Sequence, residues 1–451
     1  MQALYLSLVI APLLWTGCSA TTLYYRPLPQ SYYKPARDAA CNLSLVESIP
    51  ENLTYPNSTA PKHLSTYAAY RFLVGSAVNE LKVASLYWSL RGPDIMQNPG
   101  HLAAEGEELL AALVKRSQQL PVRIVNNIGG LAFNHSDLQL LARQPKVSIA
   151  WLNVTGLLGS GVQHAKLMLA DGQHGYVGSS NIDWRSLTQV KELGLLMTGC
   201  PSLVRELDKS FEAFWLTAIE NQVPHSWPEN LTASINASHP LVTSIGDYKY
   251  SIYLGISPAP LTPPRWSRDI DAIVSAILSA RSYVHVAVMD YEAELSDGHS
   301  HSYWGNIDNA LRTAAFNGVK VRFLLSYWKH SNKFNELFLK SLTVLNTSST
   351  FIEGKFFKVP FYTKEQRSIP YARVNHNKYM VTEDTAVICT SNWQGSYFTY
   401  TTGVAASITV LSESVSGFQH QQPQPSIVKQ VQDVFWRDWT SEYAHDRVPK
   451  M

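Results

Sequence analysis

The stretch His164-Ala-Lys166-Leu-Met-Leu-Ala-Asp171 returns about 210 residues later as His376-Asn-Lys378-Tyr-Met-Val-Thr-Glu383. After each copy comes a turn of small residues that ends in an asparagine, Asn181 in the first case and Asn392 in the second. A single His-x-Lys pattern is common, but two copies with the same downstream residues indicate a duplicated structural unit. Each unit then supplies one histidine, one lysine and one asparagine, which is half of an active site.

Polar and apolar residues alternate around the first copy, which predicts a half-buried strand. In a strand, residues two apart face the same side, so His164 and Lys166 share a face. Asp171 has the opposite parity and precedes a glycine, and Asp-Gly favours a type I′ hairpin turn. We interpret Asp171, and by the same parity Glu383, as structural members of the motif, although both stay in the candidate catalytic set.

Two histidines, two lysines and two asparagines suit phosphodiester chemistry. Lysine ammonium groups and asparagine amides can bind the non-bridging phosphate oxygens and the charge that grows on them, which is the role expected of Lys166, Lys378, Asn181 and Asn392. One imidazole can attack phosphorus while the other protonates the departing alcohol. The sequence contains no H-E-x-x-H, C-x-x-C or acidic cluster, so we expect neither a metal nor another cofactor.

This combination resembles the H-K-D motifs of the phospholipase D superfamily. The surrounding sequence is most similar to its subtype three and four branch, the endolysosomal 5′ exonucleases of single-stranded nucleic acid. The similarity extends over about residues 41–446, and four stretches carry most of it: 45–50 (LVESIP), 184–194 (WRSLTQVKELG), 369–383 (IPYARVNHNKYMVTE) and 392–398 (NWQGSYF).

The resemblance implies an α/β fold of two repeated phospholipase D-like halves, each a mixed sheet flanked by helices, that share one cleft. It also implies ping-pong hydrolysis through a phosphohistidine, with His164 as nucleophile and His376 as general acid. The products would be nucleoside 3′-phosphates, released stepwise from a free 5′ end.

A nucleophilic histidine usually needs a carboxylate to fix its tautomer, and Glu192 is the candidate in the first half. The equivalent stretch of the second half, Tyr400-Thr-Thr-Gly403, contains no acid. The orientation of His376 therefore stays open, with the hydroxyl of Tyr400 or a backbone carbonyl as alternatives. Among the aromatic residues near the motifs, Tyr397 is the candidate for stacking on a base.

The chain has 451 residues, of which 45% are hydrophobic, so it can bury a large core of two or three domains. The duplication favours two halves, at 41–222 and 248–446, with residues 223–247 as the connection. The spacing of apolar residues predicts helices at 204–215, 269–280 and 427–439 and a strand at 122–126. Strands that alternate with helices in both halves indicate α/β sheets. The net charge of +2 and the pI near 8.2 provide no strong polycationic surface for gripping a duplex.

Residues 1–20 have the apolar core and small-residue end of a cleaved signal peptide, with an uncleaved signal anchor as the alternative. Three cysteines then remain; Cys389 lies in an apolar run and is predicted as a buried free thiol, which leaves Cys41 and Cys200 to form a disulfide. Eight N-x-S/T sequons also predict a glycoprotein of the endolysosomal lumen or a secreted one: Asn42, Asn52, Asn57, Asn134, Asn153, Asn230, Asn236 and Asn346.

Three functional classes follow. The leading hypothesis is an exonuclease whose partner is single-stranded DNA or RNA. The second is a phospholipase D or transphosphatidylase that acts on lysosomal phospholipids, although no strongly hydrophobic amphipathic helix for interfacial docking stands out. The third is a binding protein that has lost catalysis, motivated by the missing acid near Gly403. The sequence leaves open whether DNA or RNA is preferred and whether the chain forms a homodimer.

Overall fold

The computed structural model describes residues 40–56, 62–129, 136–413 and 425–450. The predicted signal peptide or anchor and the sequons at Asn57 and Asn134 lie outside these residues. Within the described part of the chain, none of the helices combines the length and the apolar character that a membrane crossing requires.

The first half, as we define it here, consists of strands β1 to β10 and helices α1 to α6. The strands are β1 (Asn42–Ser48), β2 (Leu64–Ser65), β3 (Leu81–Ser85), β4 (Trp88–Ser89), β5 (Val122–Asn127), β6 (Val147–Leu152), β7 (Leu167–Ala170), β8 (His174–Gly178), β9 (Ile182–Asp183) and β10 (Glu192–Thr198). The helices are α1 (Thr66–Ser76), α2 (Ala104–Ser117), α3 (Ser136–Ala142), α4 (Val154–Leu158), α5 (Trp184–Thr188) and α6 (Pro201–Glu220).

The second half consists of the elements that follow. The strands are β11 (Leu241–Ile245), β12 (Tyr248–Ser257), β13 (Ser267–Arg268), β14 (Tyr283–Val288), β15 (Tyr291–Glu292), β16 (Glu294–Ser296), β17 (His301–Tyr303), β18 (Lys320–Ser326), β19 (Ile352–Phe357), β20 (Lys378–Val381), β21 (Thr385–Cys389), β22 (Trp393–Gln394), β23 (Gly403–Glu413) and β24 (Ala444–His445). The helices are α7 (Asp269–Ser279), α8 (Asn306–Phe316), α9 (Lys333–Thr343), α10 (Lys364–Ser368), α11 (Gly395–Thr399) and α12 (Ile427–Trp439).

Each half contains one large mixed sheet, and the two sheets repeat the same strand order. The first runs β2-β1-β10-β8-β7-β3-β5-β6, and the second runs β12-β23-β21-β20-β14-β18-β19, with β13 paired to β12 and with β11 and β24 added at its edges. In both sheets the three strands that alternate with helices are parallel, whereas the strand after the histidine pairs antiparallel to the first of them. The repeat that the two motifs predicted is therefore present throughout the sheets, and the α/β fold class is confirmed.

The inner faces of the two sheets share one hydrophobic core. It joins side chains of β7, β8 and β10 to side chains of β20, β21 and β23, and it includes the apolar faces of helices α6 and α12. The outer face of each sheet buries a separate cluster, under α1 and α2 in the first half and under α7, α8 and α9 in the second. This layering places the ends of β7 and β20, and hence the two motifs, beside each other.

The helices with clear sequence signals form as predicted, with shifted ends. Pro201 occupies the first turn of α6, where its missing N–H costs nothing, and Asn221 ends that helix in the left-handed region at φ 49°. The Ser426 side chain caps α12 by accepting a hydrogen bond from the Lys429 N–H. Asp171 and Gly172 both have positive φ, 57° and 63°, as the predicted type I′ turn between β7 and β8 requires.

A disulfide joins Cys41 to Cys200, and Cys389 is a buried free thiol, so both cysteine predictions are confirmed. The bridge ties the chain at β1 to the N-terminus of α6. Among the sequons, Asn236 has a side chain that is only 8% exposed and whose amide oxygen accepts hydrogen bonds from the backbone of Ser238 and His239. Glycosylation at Asn236 and at the other sequons stays a prediction.

Candidate active site

Both motif histidines lie in extended segments just ahead of a strand. β7 begins at Leu167 and β20 at Lys378, so the strand predicted around His164 starts later than expected. The prediction of a half-buried strand was wrong, because every residue from Gln163 to Ala170 is buried. The alternation that suggested a solvent-facing side reflects a polar face that is turned into the interior of the molecule.

Each histidine segment is hydrogen-bonded to the other half of the molecule. The His376 N–H donates to the carbonyl of Lys191 at 2.8 Å, and the Lys191 N–H donates to Val374 at 2.9 Å. On the opposite side the Thr402 N–H donates to Val162 at 3.0 Å, and the Thr402 hydroxyl accepts from the N–H of His164 at 2.9 Å. These reciprocal pairs fix the two histidine backbones relative to each other.

The two imidazoles line one cleft of about 530 Å³ between the halves. Several of the predicted site residues lie in the same cleft: Asn181, Asn392, Glu192 and Tyr397. The structure thus brings together residues that are more than 200 positions apart in the chain.

The two motif lysines are buried directly behind the histidines. The ammonium group of Lys166 donates to the carbonyl of His164 at 2.7 Å, and that of Lys378 donates to the carbonyl of His376 at 2.8 Å. Burial, and then the neighbouring Lys378, hold the pKa of Lys166 well below its usual value. Burial lowers the pKa of Lys378 to about 8, although Glu192 and Asp290 oppose this shift. An anionic ligand next to these ammonium groups would favour the charged form of both lysines.

The two histidines have different electrostatic surroundings. Burial holds the pKa of His164 well below its usual value, and Lys166, Lys378 and His376 lower it further. Burial also lowers the pKa of His376, but there the carboxylate of Glu192 opposes the shift. His164 is therefore held as a neutral imidazole, whereas His376 has a partner that favours the protonated form.

Glu192 orients His376 and not His164, which corrects the prediction from the sequence. Its carboxylate accepts a hydrogen bond from Ser179 at 2.5 Å and lies 2.8 Å from Nδ1 of His376. Burial alone would raise the pKa of Glu192, but His376, Lys378 and Ser179 outweigh it, so the pKa is lowered. The reason is the strand pairing: Lys191 binds the backbone of the second half, so the next side chain points across the cleft.

Glu192 also resolves the alternatives that the second half left open. The orientation of His376 needs neither the hydroxyl of Tyr400 nor a backbone carbonyl. The histidine without an acid is His164: among the described residues, no carboxylate is hydrogen-bonded to its ring. The carbonyl of Tyr400 lies close to Gly161. A Cβ added at Gly161, which has φ +90°, would be only 2.1 Å from that oxygen.

The two asparagines have different partners. Asn392 donates to Asp290 at 2.7 Å, whereas Asn181 lies 3.4 Å from the hydroxyl of Tyr87. The amide oxygens of both asparagines are buried and have no hydrogen-bond partner among the described residues. Asp290 was missed at the sequence level. Its only signal is its position two residues after the end of the buried strand β14, and burial raises its pKa in spite of Lys378.

Tyr397 lies in the cleft, but its ring packs edge-on against His164, with the ring centroids 4.9 Å apart. Its hydroxyl lies 3.4 Å from the amide nitrogen of Asn392. This position suits a wall that holds the imidazole better than a stacking surface for a base.

The two motif acids lie away from the reacting groups. The carboxylate of Asp171 accepts hydrogen bonds from the backbone N–H groups of Val78, Asn79 and Glu80 at 2.7 to 2.9 Å. The carboxylate of Glu383 accepts from the N–H of Arg281 at 2.7 Å in the same way. These contacts support the structural interpretation from parity, and a catalytic role of either acid stays a prediction. Each acid closes the loop between the first helix of its half and the strand that follows.

A metal site needs several donor side chains close together, here within the residues that the structure describes. In that part of the chain, histidine, cysteine and acidic side chains form no group of three or more that could hold a metal ion.

The family model described as PLD3/4, PLD-like domain matches residues 57–362. The chain belongs to this family. It is 40% identical to the 5′-3′ exonuclease PLD3 of Rattus norvegicus over 426 residues, which cover 93% of this chain and 83% of the rat protein. It is 35% identical to the 5′-3′ exonuclease PLD4 of Mus musculus over 458 residues, which cover 98% of this chain and 88% of the mouse protein.

A solved structure shares the fold at low sequence identity. The phosphatidylserine synthase of Haemophilus influenzae Rd KW20 aligns with a TM-score of 0.56 at 11% identity, over 84% of this chain and 86% of that protein. The fold class and the family predicted from the two motifs are therefore confirmed.

Proposed function

We propose that this chain is a 5′-3′ exonuclease that hydrolyses single-stranded DNA or RNA. Relatives that match more than 90% of the chain bear the name 5′-3′ exonuclease. The proposal depends on the arrangement of the cleft. His164 and His376 line it, His376 is hydrogen-bonded to a carboxylate, and two lysines are buried behind the histidines. These groups suit the binding of a single phosphodiester anion, for which the protein needs no strongly cationic surface.

In the first step His164 attacks phosphorus and the bond to the 5′ oxygen of the remaining strand breaks. The depressed pKa of His164 supports this role because only the neutral imidazole is a nucleophile. His376 donates its proton to the leaving oxygen. Since its Nδ1 is bound by Glu192, the proton would leave from Nε2. Lys166, Lys378, Asn181 and Asn392 stabilise the charge on the non-bridging oxygens.

In the second step a water molecule gives its proton to His376 and attacks phosphorus, and the bond to His164 breaks. The product is a nucleoside 3′-phosphate, and both histidines return to their starting states. Glu192 stabilises the imidazolium that His376 forms during this step. Asp171 and Glu383 contribute through the loops they close.

We also infer that the chain works in the secretory pathway, in the endolysosomal lumen or outside the cell. The Cys41–Cys200 disulfide supports this location because such bonds persist in oxidising compartments. The low pKa of His164 would keep this imidazole neutral in an acidic lumen. Hydrolysis of phospholipids and homodimer formation stay predictions.

The test uses the purified full chain and oligonucleotides of DNA and RNA that carry a free 5′ hydroxyl and a 3′ fluorophore. Stepwise shortening from the 5′ end is expected at pH about 5, with loss of all activity in His164→Ala and in His376→Ala. His239→Ala is the matched control because this exposed histidine lies outside the cleft. Vesicles of phosphatidylglycerol are incubated in parallel.

Three outcomes would contradict the proposal. Internal cleavage without 5′ shortening would point to an endonuclease. Release of headgroups from vesicles with no change in the oligonucleotides would favour the phospholipase. Activity that survives in His164→Ala would show that His164 is not the nucleophile.

A further inference from the structure

Three aromatic side chains of the second half form one wall of the cleft. Trp328 and His330 follow the end of β18, and Tyr371 lies in the segment that leads to His376. All three line the cavity that contains the two catalytic imidazoles. None of them was singled out from the sequence, because they lie 48, 46 and 5 residues before His376, with no common spacing.

The three rings pack on one another. The rings of His330 and Tyr371 are stacked, with centroids 4.6 Å apart and an angle of 18° between their planes. Trp328 meets His330 edge-on at 4.8 Å. The indole is 9% exposed and the Tyr371 side chain is 52% exposed, so the wall extends from the interior of the cleft to solvent. We call these three residues the aromatic wall.

The backbone around Tyr371 is held in an uncommon conformation. Tyr371 and Arg373 both have positive φ, 53° and 56°, although neither is a glycine. Buried arginines fix this segment from two sides: Arg185 donates to the carbonyl of Pro370 at 2.6 Å, and Arg373 donates to that of Pro360 at 2.6 Å. Such backbone conformations persist where the surroundings impose them, and they are common in ligand sites. Here the result is a tyrosine ring presented at the cleft.

The base of the wall is apolar and contains one buried donor. Val190 from the first half packs with Trp328 and Val374 from the second, and Met289 lies against them. The indole N–H of Trp328 is buried and has no hydrogen-bond partner among the described residues. A buried donor usually has a partner, so this one is suited to an acceptor atom of a ligand. A flat group with an apolar face and a polar edge fits this slot.

We propose that the aromatic wall is a subsite for a nucleobase next to the scissile phosphate. The base stacks on the His330–Tyr371 pair, and the indole N–H of Trp328 donates to an acceptor on the base edge. Stacking of this kind tolerates every base, because each base has a π-face. The subsite gives the cleft an affinity for nucleic acid beyond its affinity for phosphate. This inference rests on the proposed exonuclease function.

The experiment compares substrates with and without the base. Oligothymidylate with a free 5′ hydroxyl and a 3′ fluorophore is used beside two versions that carry an abasic tetrahydrofuran residue at the first or the second position. For wild type, kcat/KM should fall by about 5- to 150-fold on one of the abasic substrates, which is the range expected for one stacked base. In Tyr371→Ala and His330→Ala, kcat/KM on the intact oligonucleotide should be about 10-fold lower than in wild type. On that abasic substrate the variants should have the same kcat/KM as wild type.

Two variants provide the controls. Tyr371→Phe keeps the ring and should retain the wild-type preference for the base. Phe316→Ala removes an exposed aromatic side chain at the end of α8, outside the cleft, and should match wild type on every substrate. Equal losses on intact and abasic oligonucleotides in Tyr371→Ala would overturn the subsite, and so would full activity on both.

Direct binding separates this inference from the proposed function. Fluorescence anisotropy of the same oligonucleotides with His164→Ala, alone and combined with Tyr371→Ala, measures stacking without turnover. If wild type shortens no oligonucleotide but His164→Ala binds the intact one more tightly through Tyr371, the exonuclease proposal fails and the subsite stands. If wild type is active but binding is insensitive to the base and to Tyr371, the subsite fails and the exonuclease stands.

Discussion

The two halves of the molecule share a strand order but differ in how they support their histidines. In the first half, Glu192 pairs with Ser48 in the sheet and extends its carboxylate to His376. The matching register in the second half pairs Gly403 with Ser257. The position that carries an acid in one half therefore carries a glycine in the other, and His164 receives no carboxylate from it.

The second half has a carboxylate close to this place, supplied by another element. Ser48 donates to the hydroxyl of Thr66, the first residue of α1, whereas Ser257 donates at 2.9 Å to Asp269, the first residue of α7. A Cβ at position 403 would lie 2.8 Å from the carboxylate of Asp269 and 2.2 Å from the hydroxyl of Ser391. The acid of Asp269 occupies space that a side chain at position 403 would need.

This difference supports the proposed division of two roles between the histidines. A carboxylate next to His376 favours its protonated form, which a general acid needs. His164 has no such carboxylate partner among the described residues. Burial and the two lysines lower its pKa and so favour the neutral form that a nucleophile needs. The asparagines differ in the same way, since Asn392 binds the carboxylate of Asp290 and Asn181 lies near the hydroxyl of Tyr87.

The largest expected effect is the difference between the two histidine variants on thymidine 3′-(4-nitrophenyl phosphate). The leaving group of this substrate needs no proton. His376→Ala should release about one equivalent of nitrophenolate in a burst and retain a phosphohistidine on His164, because the first step survives and hydrolysis does not. His164→Ala should lose about 10⁴-fold or more in rate. Stopped-flow absorbance and mass spectrometry of the trapped protein measure both, and a burst in His164→Ala instead would reverse the roles.

Glu192→Gln tests the carboxylate that distinguishes the halves. We expect kcat/KM on an oligonucleotide to fall about 100- to 1,000-fold, because less of His376 carries the proton that the leaving oxygen needs and its ring loses the partner that orients it. The loss on the nitrophenyl substrate should be smaller. The lowered pKa of Glu192 keeps the wild-type carboxylate ionised from pH 5 to 7, so the loss should persist across this range. Glu353→Gln, at a partly exposed pair with Arg322, is the control. Similar losses on both substrates would argue against this role.

Asp269→Asn tests the carboxylate that lies near Gly403. Burial raises the pKa of Asp269 from 3.8 to about 7, so the folded chain binds a proton that the unfolded chain has already lost between these values. The free energy of unfolding should therefore fall as the pH rises from about 4 to about 7, by up to about 4 kcal/mol, and then level off.

Thermal unfolding of wild type and Asp269→Asn at pH 4.5 and 7.5 measures the contribution of Asp269 to the pH dependence of stability. The variant should lose less stability than wild type between the two pH values. Asp446→Asn, whose carboxylate is exposed, should follow wild type. Parallel pH dependence in wild type and Asp269→Asn would show that the carboxyl group of Asp269 does not take up the proton.

The smallest effect concerns Gly403 itself. Gly403→Ala should lower the free energy of unfolding by about 1 to 3 kcal/mol, because the new Cβ would overlap the hydroxyl of Ser391. Gly75→Ala in α1 is the matched control, since nothing lies within 4 Å of its added Cβ, and a gain or no change is expected there. Chemical denaturation measures both, and an unchanged Gly403→Ala would mean that the pocket around position 403 is loose.

Local pattern was enough for much of the fold. The predicted helices at 269–280 and 427–439 correspond to α7 and α12, and the predicted strand at 122–126 corresponds to β5. Periodicity and capping depend on residues a few positions apart, so they can be read along the chain. The two copies of the motif also implied a duplicated unit, and the family resemblance implied that the two halves share one cleft. The structural interpretation of Asp171 followed from parity alone.

The partners across the cleft could not be read in this way. The carboxylate of Glu192 and the ring of His376 are 184 residues apart, and their contact depends on a backbone pairing between the two halves. The same holds for Asp269 beside Gly403 and for Tyr371 beside His330. The sequence by itself determined the candidate groups for the chemistry and the repeated α/β unit that carries them. Only the tertiary structure decided which histidine each acid supports, because strand register across the interface sets the direction of those side chains.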